Sequence, residues 1–492
     1  PDFYDNEQMQ LLDNETKYRI NVFDWESAFP EVFKQGGFDC VVGNPPYVRI
    51  QTAQANQLKY VSEKYVTAIG NFDIYCLFVE LGANLLVKQG KSGFIVPHRF
   101  FKTDYGFGLR RFLGVRKCLT GAVDFDGYMV FDSASINTCV IFVAKEENEQ
   151  LDYSRALSHK LTPVEVESYL SRESDQGFTH TAVRWSQLDE NSWVFVGLNE
   201  ESLWDKLNSI PHRLGDFSRE IFQGLKTGSD GYFIGELLDS GQDLSLVKFK
   251  SDSEPTWIEK EILFPLVKGG EMKRYALKNP SKRILFPYAD GKLFSPSKMQ
   301  RSFPRAWEYL SRHRGFLSKR DSGKLAPVSW YGFTRSQALK NVHSAKILTP
   351  DYFSGASYAL DESGQFLFCG GGAGGYGIIP KDSQKTFYIL GLLNSRLLDW
   401  YLHRISMRAY QTAWMYTKKY LEQLPICLIN FDDSSDLAKH DKMVSLVERM
   451  LELQKKKAAE TNPNTLKQLD TQITATDRQI DRLVYELYDL TE

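Results

Sequence analysis

The sequence predicts an α/β doubly wound sheet, followed by an α+β domain and a carboxy-terminal helical hairpin. Three observations carry this. Residues 1–145 alternate short apolar strand patterns with helical ones, the signature of an open sheet with covering helices. Residues 206–428 mix short strand patterns with many glycine, proline and aromatic residues, and residues 429–492 carry long helical periodicity. Charged, irregular sequence at 146–205 reads as a connecting region.

The elements come in this order. Phe38–Val42 (FDCVV) reads as a short buried strand ending at Gly43. From Phe72 to Lys88, Ile74, Leu77, Phe78, Leu81 and Leu85 recur at helical spacing, with Gln89-Gly90 as the stop. Gly93–Pro97 is a second strand, closed by its proline, and a helix is expected over 104–115. Leu119–Phe125 and Thr138–Ala144 are two further strands. In the tail, Met443, Leu446, Val447, Met450 and Leu451 share one helical face, and Asn462-Pro463-Asn464 turns the chain. Leu466, Leu469, Ile473, Thr476, Ile480, Leu483 and Leu487 then recur at near-heptad spacing. Packing back onto the same domain and dimerisation both satisfy that pattern.

Composition bounds the answer. At 492 residues the chain exceeds the ~250–300 residues at which single cores stop growing. Hydrophobic residues at 42% and aromatics at 13% exclude wholesale disorder. No apolar run reaches the ~18 residues that would call for a membrane span, and the start lacks the layout of a signal peptide. The six cysteines are scattered without a C-x-x-C pair, so neither a zinc site nor a disulfide framework is expected. A reducing, cytoplasmic setting is the simplest reading.

The net charge of -2 names no partner. Locally the balance differs. Between Lys273 and Lys324 there are fourteen Lys/Arg against three acids, interleaved with Tyr275, Phe286, Tyr288, Phe294, Phe303, Trp307, Tyr309 and Phe316. This is either an ordinary solvated face or a surface that follows a phosphate backbone.

One tetrapeptide carries chemistry: Asn44-Pro45-Pro46-Tyr47, directly after the FDCVVG strand. In open α/β sheets ligands bind beyond the carboxyl ends of the strands. Two adjacent prolines fix φ and remove both N–H groups, leaving a rigid segment that only accepts hydrogen bonds. The Asn44 amide and the Pro45 carbonyl can converge on one planar NH2 group. Accepting both hydrogens localises the nitrogen lone pair for attack on an electrophilic methyl group, without a covalent enzyme intermediate. Tyr47 offers an aromatic face for a base drawn out of a helix. The competing reading, a proline-rich turn, is weakened by the strand and Gly43 immediately upstream.

FDCVVGNPPYVRI resembles the signature of S-adenosyl-L-methionine-dependent amino-methyltransferases, especially the TaqI-like adenine-N6 DNA methylases and their type IIG restriction–modification relatives. The stretch NVFDWESAFPEVFKQGGFD resembles the acidic segment that precedes the motif in that family. The resemblance implies that Asp24, with Trp25 beside it, binds the adenine amino group of the cofactor; Asp24 reads equally well as a helix-cap carboxylate. VFDSASINTCVIFV resembles the loop that carries a base-stacking aromatic, which makes Phe131 the partner of Tyr47, or else a core phenylalanine. EIFQGLKTGSDGYFI and QTAWMYTKKYLEQLPI resemble the opening and close of a TaqI-like target-recognition domain. Together these resemblances imply a site-specific adenine DNA methyltransferase acting on double-stranded DNA after base flipping, as part of a restriction–modification system.

The family pattern breaks at one place. No glycine-rich loop for the methionine end of the cofactor precedes Asp24, and the chain starts at Pro1 rather than methionine. The expectation is therefore a partial methyltransferase sheet whose amino-terminal methyltransferase or nuclease segment is missing or separate, with weak cofactor binding by this chain. GGGAGGYG at 370–377 lacks a following Lys-Ser/Thr and reads as a loop or tight hairpin, not a phosphate loop. No nuclease carboxylate cluster, metal-spaced histidines or Pro-Cys pair is present. Two other functions use the same residues: an N-P-P-Y methylase acting on protein glutamine or RNA, and a DNA-specificity module without catalysis.

Overall fold

A computed structural model describes residues 23–50, 55–131, 136–158, 160–188, 191–197, 199–325, 329–371, 374–410 and 412–491. The chain divides into two compact units, Pro1–Trp204 with Tyr410–Thr412, and Asp205–Ala409 with Ala413–Glu492.

The first unit is built on a six-stranded mixed sheet. Its strands are β1 (Phe38–Gly43), β2 (Leu86–Pro97), β3 (Leu119–Asp124), β4 (Thr138–Ala144), β5 (Gln150–Ala156) and β6 (Phe178–Arg184), in the spatial order β1-β2-β4-β3-β5-β6. β1 runs parallel to β2, and β3 parallel to β5; the other pairings are antiparallel. Adjacent residues of a strand face opposite sides, and here they feed different cores. Ala122 and Ile141 join one cluster with Val79, Leu109 and Phe112, while Val123 and Val140 join another with Val166 and Phe178. Helices α2 (Tyr75–Asn84) and α3 (Phe107–Arg116) thus cover one face and α4 (Pro163–Leu170) the other. This is the expected doubly wound α/β fold.

Three local expectations change. Among the described residues the FDCVV strand lies at the sheet edge rather than in its interior, with Asp39 and Cys40 exposed and Val42 80% accessible. Only Val41 points at the core, under Gly82 of α2. The helix predicted to reach Lys88 stops at Asn84, and β2 begins at Leu86. The Phe38 N–H donates to the Leu85 carbonyl at 2.8 Å, so pairing with β1 takes over where helical spacing would have continued. Finally, the irregular stretch expected after Lys145 contains β5, α4 and β6. Its charged residues alternate outward while Leu151, Tyr153 and Val183 point inward, so polarity masked the strands.

The second unit holds two larger sheets. One has the order β10 (Thr256–Glu259), β9 (Leu244–Phe249), β8 (Ile234–Ser240), β12 (Lys282–Leu285), β11 (Leu263–Val267) and β15 (Leu367–Phe368). The other has the order β14 (Ala359–Asp361), β13 (Lys346–Pro350), β16 (Gly375–Pro380) and β7 (Ser218–Gln223). Helix α5 (Pro304–Arg312) packs against the larger sheet through Ala306, Tyr309 and Leu310. The two tail helices, Ser434–Ala459 and Pro463–Leu487, pack on one another and back onto the same unit. Asp477 pairs with Arg274 at 2.7 Å and Asp481 with Arg396 at 3.2 Å. Met443 and Val447 lie over Gly391. Among the described residues no helix is long and apolar enough to cross a membrane.

Candidate active site

The site is set by where β1 and β2 end. Because they are parallel, Asn44 leaves β1 and His98 leaves β2 at the same edge, where Asp124 closes β3. Gly43 is needed there: a Cβ would stand 2.9 Å from the Phe94 ring. Asn44 is exposed, Pro45 buried and Pro46 exposed. One side of the motif is therefore fixed in the protein while the Asn44 side chain faces outward.

Tyr47 anchors the motif. Its hydroxyl donates to the Ile95 carbonyl of β2 at 3.1 Å, and its ring meets Tyr75 edge-on at 6.3 Å. Burial pushes the phenol up to about 12, so it stays a neutral donor. The next residues along the chain are also tied down. The Ile74 N–H donates to Val48 and the Ile50 N–H to Phe72, while Arg49 stacks on Tyr105 at 5.2 Å.

Two polar pairs support this edge that the sequence reading missed. Asp73, buried beside Tyr75, binds Arg99 at 2.6 Å. Asp124 accepts from the Tyr153 hydroxyl at 2.9 Å, meets His98 Nδ1 at 2.9 Å and takes the Asp126 N–H at 2.8 Å. Burial alone would raise the Asp124 carboxyl, but His98, Arg155 and the Asp126 N–H outweigh it and hold it at about 2. Asp126, in the left-handed region at φ 48°, is clamped by Arg155 at 2.9 Å. The network thus holds the turn that leads to Phe131. The available signal was modest: charged residues placed directly at strand ends, in His98-Arg99 and Asp124-Phe125-Asp126.

Phe131 is half-buried and belongs to none of the buried clusters among the described residues; 132–135 lie outside the described residues. Asp24 caps the one-turn helix α1 (Trp25–Ala28). Its carboxylate accepts from the Glu26 and Ser27 N–H groups at 3.1 and 3.4 Å and from the Ser27 hydroxyl at 2.7 Å. The Ser27 hydroxyl, opposed by slight desolvation and aided by the two N–H groups, lowers its pKa. Trp25 is partly exposed, stacked on Phe29 at 6.0 Å and edge-on to Phe38 at 5.8 Å. An acceptor with a spare lone pair beside an open indole suits the adenine end of S-adenosyl-L-methionine. Among the described residues nothing around Asp24 cradles the methionine end.

In the basic stretch 273–324, Tyr275, Phe286, Tyr288, Phe303 and Tyr309 are buried, Phe294 and Trp307 half-buried and Phe316 exposed, while nine of the fourteen Lys/Arg are exposed. Arg320 is buried too, donating to the carbonyls of Leu317, Thr227, Trp330 and Gly332. Gly370, Gly371 and Gly374 lie in the connection into β16, and Gly375 and Gly377 belong to that strand. The Gly370 N–H goes to Leu225 and that of Gly374 to Gly371. Among the described residues no group of three or more His, Cys, Asp or Glu is placed to hold a metal ion.

Residues 2–131 match the Eco57I restriction-modification methylase family, and residues 264–426 match the TaqI-like C-terminal specificity domain. The two matched segments are thus similar to a restriction-modification methylase and to a specificity domain. The type II restriction enzyme and methyltransferase RM.Eco57I of Escherichia coli is 28% identical over 92% of this chain and 46% of its own length. The type II methyltransferase M.BstVI of Geobacillus stearothermophilus is 26% identical over 73% of this chain and 62% of its own. The chain spans about half the length of the curated relatives it matches. In fold, this chain is similar to the type IIL restriction-modification enzyme MmeI, solved in complex with DNA, with a TM-score of 0.58 at 12% identity over 94% of this chain and 56% of that one.

Proposed function

We propose that this chain provides the acceptor side of a site-specific DNA methyltransferase that modifies adenine N6 after base flipping, within a type II restriction–modification system. The observation that carries the reading is the motif at the end of β1: an exposed Asn44 on a segment stiffened by two prolines and anchored through the Tyr47 hydroxyl to Ile95. Relatedness to type II methyltransferases and the TaqI-like specificity domain support DNA as the substrate.

In this reading the Asn44 amide oxygen and the Pro45 carbonyl each accept one hydrogen of the exocyclic NH2. That withdraws the nitrogen lone pair from conjugation with the ring and aims it outward. The preorganised acceptors need no reorganisation at the moment of reaction, which is where such electrostatic arrangements gain their rate. Tyr47 and Phe131 hold the extruded base by stacking, which offsets part of the few kcal/mol spent on unstacking it. S-adenosyl-L-methionine supplies the electrophilic methyl group, and Asp24 and Trp25 are the residues suited to its adenine end. The network of His98, Asp124 and Asp126 fixes the end of β3 from which the chain leads on to Phe131.

The deciding experiment is expression of the full-length gene with and without Asn44→Ala, combined with mapping of modified adenines in host DNA. Methyladenine at one short motif, absent in the mutant while DNA binding persists, is the expected result. Soluble protein that binds DNA yet modifies no adenine would sink the reading and favour the specificity module without catalysis.

A further inference from the structure

The second unit contains a cavity that the chemistry above does not use. It encloses about 370 Å³ on one face of the larger sheet, with Lys248, Lys250, Lys268 and Lys282 around it and only Asp230 and Glu236 to balance them. Strand register assembles this group. Glu236 on β8 is the cross-strand partner of both Lys282 on β12 and Lys248 on β9, so the three form one row across the sheet. Lys250 sits two residues beyond Lys248, and Lys268 comes just after the end of β11, beside Lys282.

Both carboxylates are already engaged. Glu236 takes Lys282 at 3.3 Å and the Ser281 hydroxyl at 2.7 Å, and Asp230 takes the Thr227 hydroxyl at 2.5 Å. Lys248 donates to the Ser253 carbonyl. The neighbouring Lys282 first, and then partial burial, hold Lys268 below its ordinary value, while Lys282, next to Lys268 and paired with Glu236, is held above its own. Four lysines against two carboxylates leave the cavity, floored by Ile234, Leu266 and Val267, with an excess of positive charge that favours an anion. Gly231 and Gly371 lie at the rim, where the backbone carries no side chain to screen an approaching ligand. The volume suits a group the size of a phosphate with its flanking sugars.

We propose that this cavity is a phosphate-binding site that grips the backbone of bound duplex DNA, with Lys250 and Lys268 as its principal donors. The assignment rests on the DNA reading above, but concerns positioning and carries no sequence information by itself. The same chemistry would also take a free phosphate, and the test separates the two.

Binding of a fluorescent duplex to the full chain is measured by anisotropy across a range of KCl concentrations. The wild type is compared with the double variants K250Q/K268Q and K250R/K268R and with K455Q, an exposed lysine on the tail hairpin. Thermal melts check folding. The Gln pair should bind roughly tenfold more weakly, with the slope of log affinity against log salt smaller by about 1, whereas the Arg pair and K455Q keep the wild-type slope. An unchanged slope and affinity in a folded Gln pair overturns the proposal. Inorganic phosphate is titrated in parallel by calorimetry. Phosphate binding that the Gln pair abolishes, beside an unchanged DNA slope, identifies a free-phosphate site and also overturns the DNA clamp. Methylation is read separately, on the full-length protein with and without Asn44→Ala: a slope change in the Gln pair beside a full-length protein that never methylates leaves the clamp standing and removes the methylase reading, whereas a wild type that binds no duplex overturns the clamp.

Discussion

At Asn44 and Tyr47 the work is divided between a side chain that faces outward and one that is tied to the sheet. Asn44→Ala should lower methylation roughly 100-fold or more, by analogy with loss of one preorganised polar group, with little effect on DNA affinity. Tyr47→Phe keeps the ring but deletes the bond to Ile95. It should cost about 1 kcal/mol in a denaturant melt and change methylation only a few-fold. Tyr47→Ala, which also removes the stacking face, should reduce methylation far more than Tyr47→Phe does. Asp124 gives a pH prediction. Its carboxyl titrates near 2 in the folded protein against 3.8 for the free group. Its contribution is therefore complete above about pH 4 and lost as the pH falls from there towards 2. Asp124→Asn should remove that part of the acid-induced decline in melting temperature while lowering stability at neutral pH. The acceptor motif was legible in the sequence because two prolines and an asparagine constrain local chemistry wherever they fall. The Asp73–Arg99 and Asp124–His98 pairs were not, since their partners are 26 residues apart and meet only through strand order.

At the level of elements, strands with apolar runs were readable, and those that alternate charge with burial were not. β3 and β4 stand within a residue of expectation, whereas β5 and β6 emerged from sequence that looked like a linker. The helix before β2 was placed correctly but ended four residues early, because the Leu85 carbonyl is claimed by Phe38. The same junction depends on small residues. A Cβ at Gly82 would fall 2.5 Å from the Phe94 ring, which itself abuts Gly43. Gly82→Ala should consequently cost about 1–3 kcal/mol through overpacking, despite the better helix propensity of alanine. A chemical-denaturation midpoint that rose instead would show that the Phe94 ring moves aside freely.

For the whole molecule, the tail resolves a choice that its sequence left open. The near-heptad stripe of the final helix is spent on its own unit, with Ile480, Leu483 and Val484 buried and Asp477 and Asp481 paired to Arg274 and Arg396. Leu483→Ala should destabilise the fold by roughly 2–5 kcal/mol, read as a lower melting temperature, and leave the molecular mass in solution unchanged. A change in oligomeric state would mean that the hairpin also mediates self-association. The sequence by itself determined the alternating α/β order, the helical tail, the motif after the first strand and the resemblance to a methylase with a specificity domain. Each of these is written in local periodicity or in contiguous residues. Tertiary structure alone decided that, among the described residues, the first strand lies at the sheet edge, that most aromatics of the basic stretch are core, and that four lysines from three segments surround one cavity. Those outcomes depend on which strands become neighbours, and neighbour choice is set by burial and pairing summed over the whole fold rather than by any one stretch of chain.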